Sequence, residues 1–326
     1  MRKAYVVADF LSDENKAEIS STAESNGFEL SFYESVEDAA GKVSDAEIIY
    51  SGGDSSIMNH VPNVKWVHSA FAGIDAYAAS GLFDDGKIIL TNGSGAYGLT
   101  ISEHIIMVSL MLLRRMPDYN KIIYKRDWVD DLKSRSIAGS KVVIIGTGNI
   151  GETTARKFKA MGAETVIGFN RSGMDVAEFD EVHKLDEFDT IYADKAFADS
   201  VDILVLCVPG TSETKGLLSR ERIAMLSERT YVINVGRGVS VDQEALIEAL
   251  NSEQIAGAAL DVMTPEPLPK DHPLWDAKNC IITPHISGNM TLKYTVNKTV
   301  EFFCENIKRY VRGEQLINLA DVKIGY

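Results

Sequence analysis

The sequence predicts an α/β chain of two doubly wound parallel-sheet domains, the second inserted into the first. Three observations carry this reading. Short apolar runs alternate with polar helical stretches in two sets, one before residue 98 and one after residue 140. Between the sets, Asn92-Gly93-Ser94-Gly95-Ala96-Tyr97-Gly98 collects residues that relieve backbone strain, as at a crossing between domains. After Gly288, the residues Val296, Val300, Phe303, Ile307 and Tyr310 recur at helical spacing, so a last helix is expected to return to the first domain. The expected division is 1–98 with 289–326 against 99–288, with a cleft between the two. A chain of 326 residues suits this, since single cores stop growing at roughly 250 to 300 residues.

The first set places strands at Ala4–Ala8, Glu29–Tyr33, Glu47–Tyr50, Lys65–His68 and Lys87–Leu90. Thr100-Ile101-Ser102-Glu103 has the spacing of a capping box, opening a long apolar helix that runs through Met116 until Pro117 ends it. The second set has six apolar strands: Lys141–Ile145, Thr165–Phe169, Asp202–Val208, Tyr231–Asn234, Ala256–Leu260 and Asn279–Ile282. Neither solenoid repeats nor low-complexity segments interrupt them.

Composition narrows the function. Hydrophobic residues at 45% and charged residues at 25% are those of a globular protein. A formal net charge of −14 disfavours a nucleic-acid partner, because phosphate binding needs clustered cations. An anionic small molecule would instead depend on locally placed positive groups. Cys207, Cys280 and Cys304 sit in apolar segments, consistent with core packing in a reducing, cytoplasmic compartment. Asp9 closes the first apolar stretch too soon for a signal peptide, and no apolar run is long enough to span a membrane. No His, Cys, Asp or Glu group has metal-ligand spacing, so no metal is expected.

Gly146-Thr147-Gly148-Asn149-Ile150-Gly151 follows an apolar strand and opens a helix. In that context the glycines allow a tight turn and close approach to a pyrophosphate, and the helix start offers free amides, the pattern of a Rossmann dinucleotide site. The next strand ends in Asn170-Arg171-Ser172, where an NAD site usually carries a carboxylate for the ribose 2′-hydroxyl. An arginine and a serine there suit a 2′-phosphate, so NADP(H) is preferred and NAD(H) possible.

Downstream come three short motifs: Asn234-Val235-Gly236-Arg237-Gly238, then Asp261 with Glu266-Pro267, then Pro284-His285. Arg237, between glycines at a strand end, suits bidentate pairing with a substrate carboxylate. His285 suits proton exchange with a hydroxyl or alkoxide, and Glu266 would orient its ring and favour the imidazolium. His104, on the apolar helix, reads as a core histidine rather than a ligand; His60, His183 and His272 read as solvated.

These residues, together with Ala72-Gly73-Ile74-Asp75, Cys207-Val208-Pro209-Gly210-Thr211 and Pro284-His285-Ile286-Ser287-Gly288, make the chain resemble the D-2-hydroxyacid dehydrogenases nearly end to end. The Asn170-Arg171-Ser172 turn resembles the branch of NADPH-using glyoxylate and hydroxypyruvate reductases. The resemblance implies a flavodoxin-like substrate domain carrying the Rossmann insert, and a reversible reduction of a small 2-keto acid to the (R)-2-hydroxy acid. It implies that Arg237 binds the substrate carboxylate and carbonyl, that His285 exchanges the proton, and that Glu266 tunes it. It further implies that the Ala72, Gly73 and Ile74 backbone binds the carboxylate. Val208 and Pro209 are expected on the ribose side of the nicotinamide, Val235 and Asp261 at its carboxamide, and Thr214 in the phosphate region. Gly236, His285 and Gly288 are expected among the remaining cofactor-binding residues. A homodimer joined through the nucleotide domain is also implied. Alternatives are a nucleotide-sensing, corepressor-like protein of the same fold and a dehydrogenase of a bulkier acid. Phe71, Tyr97 and Trp275 fit either a substrate pocket or ordinary packing.

Overall fold

The computed structural model describes residues 2–325, which form two compact units, one comprising residues up to Tyr97 together with those from Met290 onward, the other Gly98–Asn289. The first unit has five parallel strands: β1 (Arg2–Val7), β2 (Phe28–Tyr33), β3 (Ile48–Ser51), β4 (Trp66–Ser69) and β5 (Ile89–Thr91), in the order β2-β1-β3-β4-β5. β3 and β4 are buried along their whole length, so neither shows the alternation of a half-exposed strand, and the polar Ser51, His68 and Ser69 are buried with them. The C-terminal helix Lys293–Arg312 belongs to this unit and packs beside the helix Asp13–Ser25. Its Phe303 and Tyr310 lie against Trp66, with ring centroids 5.3 and 5.4 Å apart, and this aromatic contact fixes the returning helix on the sheet.

The second unit has seven parallel strands: β6 (Lys141–Ile145), β7 (Thr165–Asn170), β8 (Glu181–Lys184), β9 (Ile203–Leu206), β10 (Tyr231–Asn234), β11 (Gly257–Leu260) and β12 (Cys280–Ile282). Their order is β12-β11-β10-β9-β6-β7-β8. The chain reverses its winding direction between β6 and β9, where Ile145 pairs with Leu206, and loops leaving those strand ends diverge to opposite faces of the sheet. Ligands of open α/β sheets bind at that switch point.

Two sequence expectations are corrected. The six expected strands are seven: β8 reads Glu-Val-His-Lys and lacks an apolar signature because it is a half-exposed edge strand, a place where charge discourages further pairing. The long apolar helix is two helices, Gly98–Leu113 and Met116–Tyr124. It starts two residues before the supposed capping box, so Thr100 is buried inside the first turn. Arg115 adopts a left-handed conformation (φ 59°) and Pro117 falls in the first turn of the second helix, where its missing N–H costs nothing.

Candidate active site

The switch point of the seven-stranded sheet is shaped by glycines. Gly146 has φ +100°, and a Cβ there would lie 2.8 Å from the Cys207 carbonyl oxygen. A Cβ on Gly151 would fall 1.9 Å from the Gly146 carbonyl, so the helix Asn149–Ala160 can start this close to β6 only without a side chain. Gly148 is the N-cap and supplies no side-chain cap, while a Cβ on it would meet nothing within 4 Å. The loop is therefore open above a helix start whose first amides, at Asn149, Ile150 and Gly151, lack side-chain caps. That arrangement fits a dinucleotide pyrophosphate.

At the end of β7, Asn170 organises the following turn. Its Oδ1 accepts the amides of Ser172 (3.0 Å) and Gly173 (2.6 Å), and its Nδ2 donates to Thr147 Oγ1 (2.9 Å) and the Met174 carbonyl (3.0 Å). Asn170 thus ties this turn to the glycine loop. Arg171 is exposed, with Glu213 at 4.0 Å. Val208 is buried at the end of β9, and Pro209 follows it. The Thr214 hydroxyl donates to the Pro209 carbonyl (2.5 Å) and accepts the Thr211 amide (2.8 Å), so it holds the loop together.

Beyond β10, Asn234 brackets the next turn: its Oδ1 accepts the Gly236 amide (3.0 Å) and its Nδ2 donates to the Arg237 carbonyl (3.0 Å). Val235 and Gly236 are buried, and a Cβ on Gly236 would sit 2.4 Å from the Val208 carbonyl oxygen. Arg237 is half-buried, and its Nη1 donates to the Gly236 carbonyl (2.8 Å).

Glu266 and His285, nineteen residues apart, meet at 2.7 Å between Oε2 and Nδ1. The other carboxylate oxygen accepts the Met263 amide at 2.9 Å. Gln243 clamps the same loop, its Oε1 accepting the Thr264 amide (3.0 Å) and its Nε2 donating to the Thr264 carbonyl (2.8 Å). The histidine side chain is 50% exposed and the glutamate 34%, so the pair is reachable by a small molecule. Because Nδ1 faces a carboxylate, it carries a hydrogen, and Nε2 is the nitrogen left for proton exchange. The backbone of His285 is left-handed (φ 54°), and its amide donates to the Asp261 carbonyl (2.8 Å).

Asp261, only 1% exposed, accepts the amides of Ile286 and Ser287 at 2.9 Å each and the Thr283 hydroxyl at 2.6 Å. Burial pushes its carboxyl upward, but hydrogen bonds from Ser287, Thr283 and the Ile286 and Ser287 amides outweigh it and hold the group below the usual range. Gly288 follows in the same turn. Sequence reasoning missed Thr283, Gln243 and the Met263 amide; no local motif links residue 243 to 264, and only the folded loops do. Among the described residues, no three His, Cys, Asp or Glu side chains are grouped to hold a metal, and no helix is long and apolar enough to cross a membrane.

In the other unit, Ala72, Gly73 and Ile74 leave β4 and lead into the short helix Asp75–Ala78. Asn92 Nδ2 donates to the Ala72 carbonyl (2.9 Å) and the Gly93 amide to the Phe71 carbonyl (3.1 Å), fixing this loop. Tyr97 is buried with its hydroxyl on the Ala70 carbonyl (2.9 Å), a packing role.

The family model for the NAD-binding domain of D-isomer specific 2-hydroxyacid dehydrogenases matches residues 106–287. A glyoxylate reductase of Thermofilum pendens is 29% identical over 83% of this chain and 80% of its own. An uncharacterized protein of Corynebacterium melassecola is 33% identical over 90% and 93%. The solved NADPH-dependent glyoxylate/hydroxypyruvate reductase of Sinorhizobium meliloti, in complex with NADP and sulfate, superposes with a TM-score of 0.82 at 27% identity, covering 100% of both chains. Motif order, parallel-sheet topology and these matches agree: the chain belongs to the D-isomer specific 2-hydroxyacid dehydrogenase family and is a 2-hydroxyacid dehydrogenase.

Proposed function

We propose that the protein reduces a small 2-keto acid, of the size of glyoxylate or hydroxypyruvate, to the (R)-2-hydroxy acid, with NADPH preferred over NADH. The observation that carries this is the His285–Glu266 pair at 2.7 Å. When bound, reduced nicotinamide supplies the hydride. Arg237 pairs with the substrate carboxylate and polarises the keto oxygen. His285 Nε2 gives its proton to the forming alkoxide, and the ring remains as the Nδ1–H tautomer on Glu266. In the reverse direction the same neutral ring takes the hydroxyl proton.

The amides at Gly148, Asn149, Ile150 and Gly151 would hold the pyrophosphate beside Gly146, and Arg171 with Ser172 the 2′-phosphate. Val208, Pro209, Val235, Gly236, Asp261, Thr214 and Gly288 would frame the rest of the nucleotide site. The solved relative from Sinorhizobium meliloti holds NADP, which supports the cofactor preference. The unit containing Ala72, Gly73 and Ile74 is the proposed substrate domain, its backbone contributing to carboxylate binding. The nucleotide unit exposes Ile123, Tyr124, Trp128 and Val129, with Tyr124 91% and Trp128 96% exposed. Apolar exposure of this kind supports a homodimer joined through that unit. Three free cysteines support a reducing, cytoplasmic setting.

The test is oxidation of NADPH and NADH by the purified protein against glyoxylate, hydroxypyruvate, pyruvate and branched 2-keto acids. Turnover favouring NADPH on a small acid is expected. Turnover only on bulky acids would replace the substrate class, and nucleotide binding without turnover on any acid would favour a nucleotide sensor.

A further inference from the structure

His285 is neither glycine nor asparagine, yet its backbone is left-handed (φ 54°). Such a conformation is uncommon in a non-glycine residue and carries an energetic cost, which local contacts must offset. Here three successive amides converge on one residue. His285 N donates to the Asp261 carbonyl, Ile286 N to its Oδ1 and Ser287 N to its Oδ2. The carboxylate can address two adjacent amides only if its own rotation is fixed.

Thr283 supplies that restraint together with the Ser287 side chain. Its hydroxyl lies 2.6 Å from Asp261 Oδ1 and 3.3 Å from His104 Nε2. A hydroxyl has one hydrogen, and the carboxylate can only accept it. The lone pairs of Thr283 therefore face His104, which must present an N–H at Nε2. Burial lowers the basicity of His104, against the opposing pull of the Asp261 charge, which favours the neutral ring, and the Thr283 geometry places the remaining proton on Nε2. The bonds run in one direction, from His104 Nε2–H to Thr283 Oγ1–H to Asp261, and end on an anion.

We propose that this His104–Thr283–Asp261 chain holds His285 in its left-handed conformation, with Thr283 the positioning residue on which the chain depends. The functional consequence rests on the reading of His285 as the proton donor; the hydrogen-bond polarity does not. His104, which looks in the sequence like a core histidine, then acts at a distance from the reacting atoms by fixing the direction of the chain.

The experiment has two arms on the full chain. Side-chain nitrogen NMR of histidine-labelled protein, with His104→Gln for assignment, is expected to find His104 as the Nε2–H tautomer at neutral pH. An Nδ1–H tautomer would overturn the proposal even if the enzyme is active. In the second arm, kcat and KM are measured for Thr283→Val, Thr283→Ser, His104→Leu and His104→Gln. The valine and leucine variants are expected to lose kcat about tenfold with keto-acid KM within about twofold, whereas serine and glutamine, which keep a hydroxyl and a donor, restore it. Equal kcat in valine and serine variants, or losses that serine and glutamine fail to restore, would overturn it. A wild-type protein without turnover would sink the reductase reading and leave the tautomer arm to decide the chain.

Discussion

A Cβ placed on Gly238 would lie 2.2 Å from both the carbonyl carbon and the carbonyl oxygen of Met263. The backbone after Arg237 thus runs directly against the loop whose Met263 amide anchors Glu266 at 2.9 Å. One glycine brings the arginine turn and the glutamate loop together. Gly238→Ala is expected to push the loops apart and lower kcat/KM at least about tenfold, as a small misplacement of reacting groups does, with the far-UV circular dichroism unchanged. Unaltered kinetics in a folded variant would show that this approach does not set the site.

Arg171 and Glu213 make the nucleotide preference testable in both directions. Arg171→Ala should raise the KM for NADPH by roughly ten- to a hundredfold, the range of a lost charge-assisted contact, with that for NADH within about twofold. Glu213, 4.0 Å from the guanidinium, opposes a bound phosphate by its charge. Glu213→Gln should lower the KM for NADPH. Equal effects on both nucleotides would remove the case for 2′-phosphate recognition.

His68 gives the fold a pH dependence. It is fully buried, bonded at Nδ1 to the Thr91 hydroxyl (2.8 Å), and burial pushes it down to about 3. Unfolded histidine titrates near ~6.5, so between that pH and about 3 the unfolded chain binds the extra proton and stability falls as pH falls. From pH 8 to pH 5 this residue should cost about 2 kcal/mol. The drop in urea midpoint over that interval should shrink in His68→Gln; an identical drop in both proteins would contradict the assignment.

Trp128 tests the proposed dimer. With 96% of it exposed beside Tyr124, a charge there should weaken association through the nucleotide unit. Sedimentation of Trp128→Glu is expected to give a monomer where the parent gives a dimer. A parent that sediments as a monomer, or a variant with the parental mass, would refute the interface.

Much of this was legible because parallel strands buried on both faces must be continuously apolar. β6 and β10 have the bounds their sequences suggest, and Gly146 and Gly151 mark the turn that only glycine allows at the switch point. β8 was hidden because an edge strand needs no apolar face. Pro117 was misread as a stop because proline both ends one helix and begins another, and only the left-handed Arg115 decides between them. In the site, Arg237, Glu266 and His285 stand out by residue type beside glycine and proline. Thr283 and Gln243 do not, since a threonine before a proline and a glutamine in a helix gain meaning only from partners about twenty residues away.

In the proposed reaction His285, held by Glu266, delivers the proton in keto-acid reduction. The direct measurement is kcat for His285→Ala on the best keto acid, with the Kd for NADPH determined on the same preparation. A fall of about a hundredfold or more with Kd within about twofold is expected for loss of a general acid; near-parental turnover by a variant that binds NADPH normally would contradict the account.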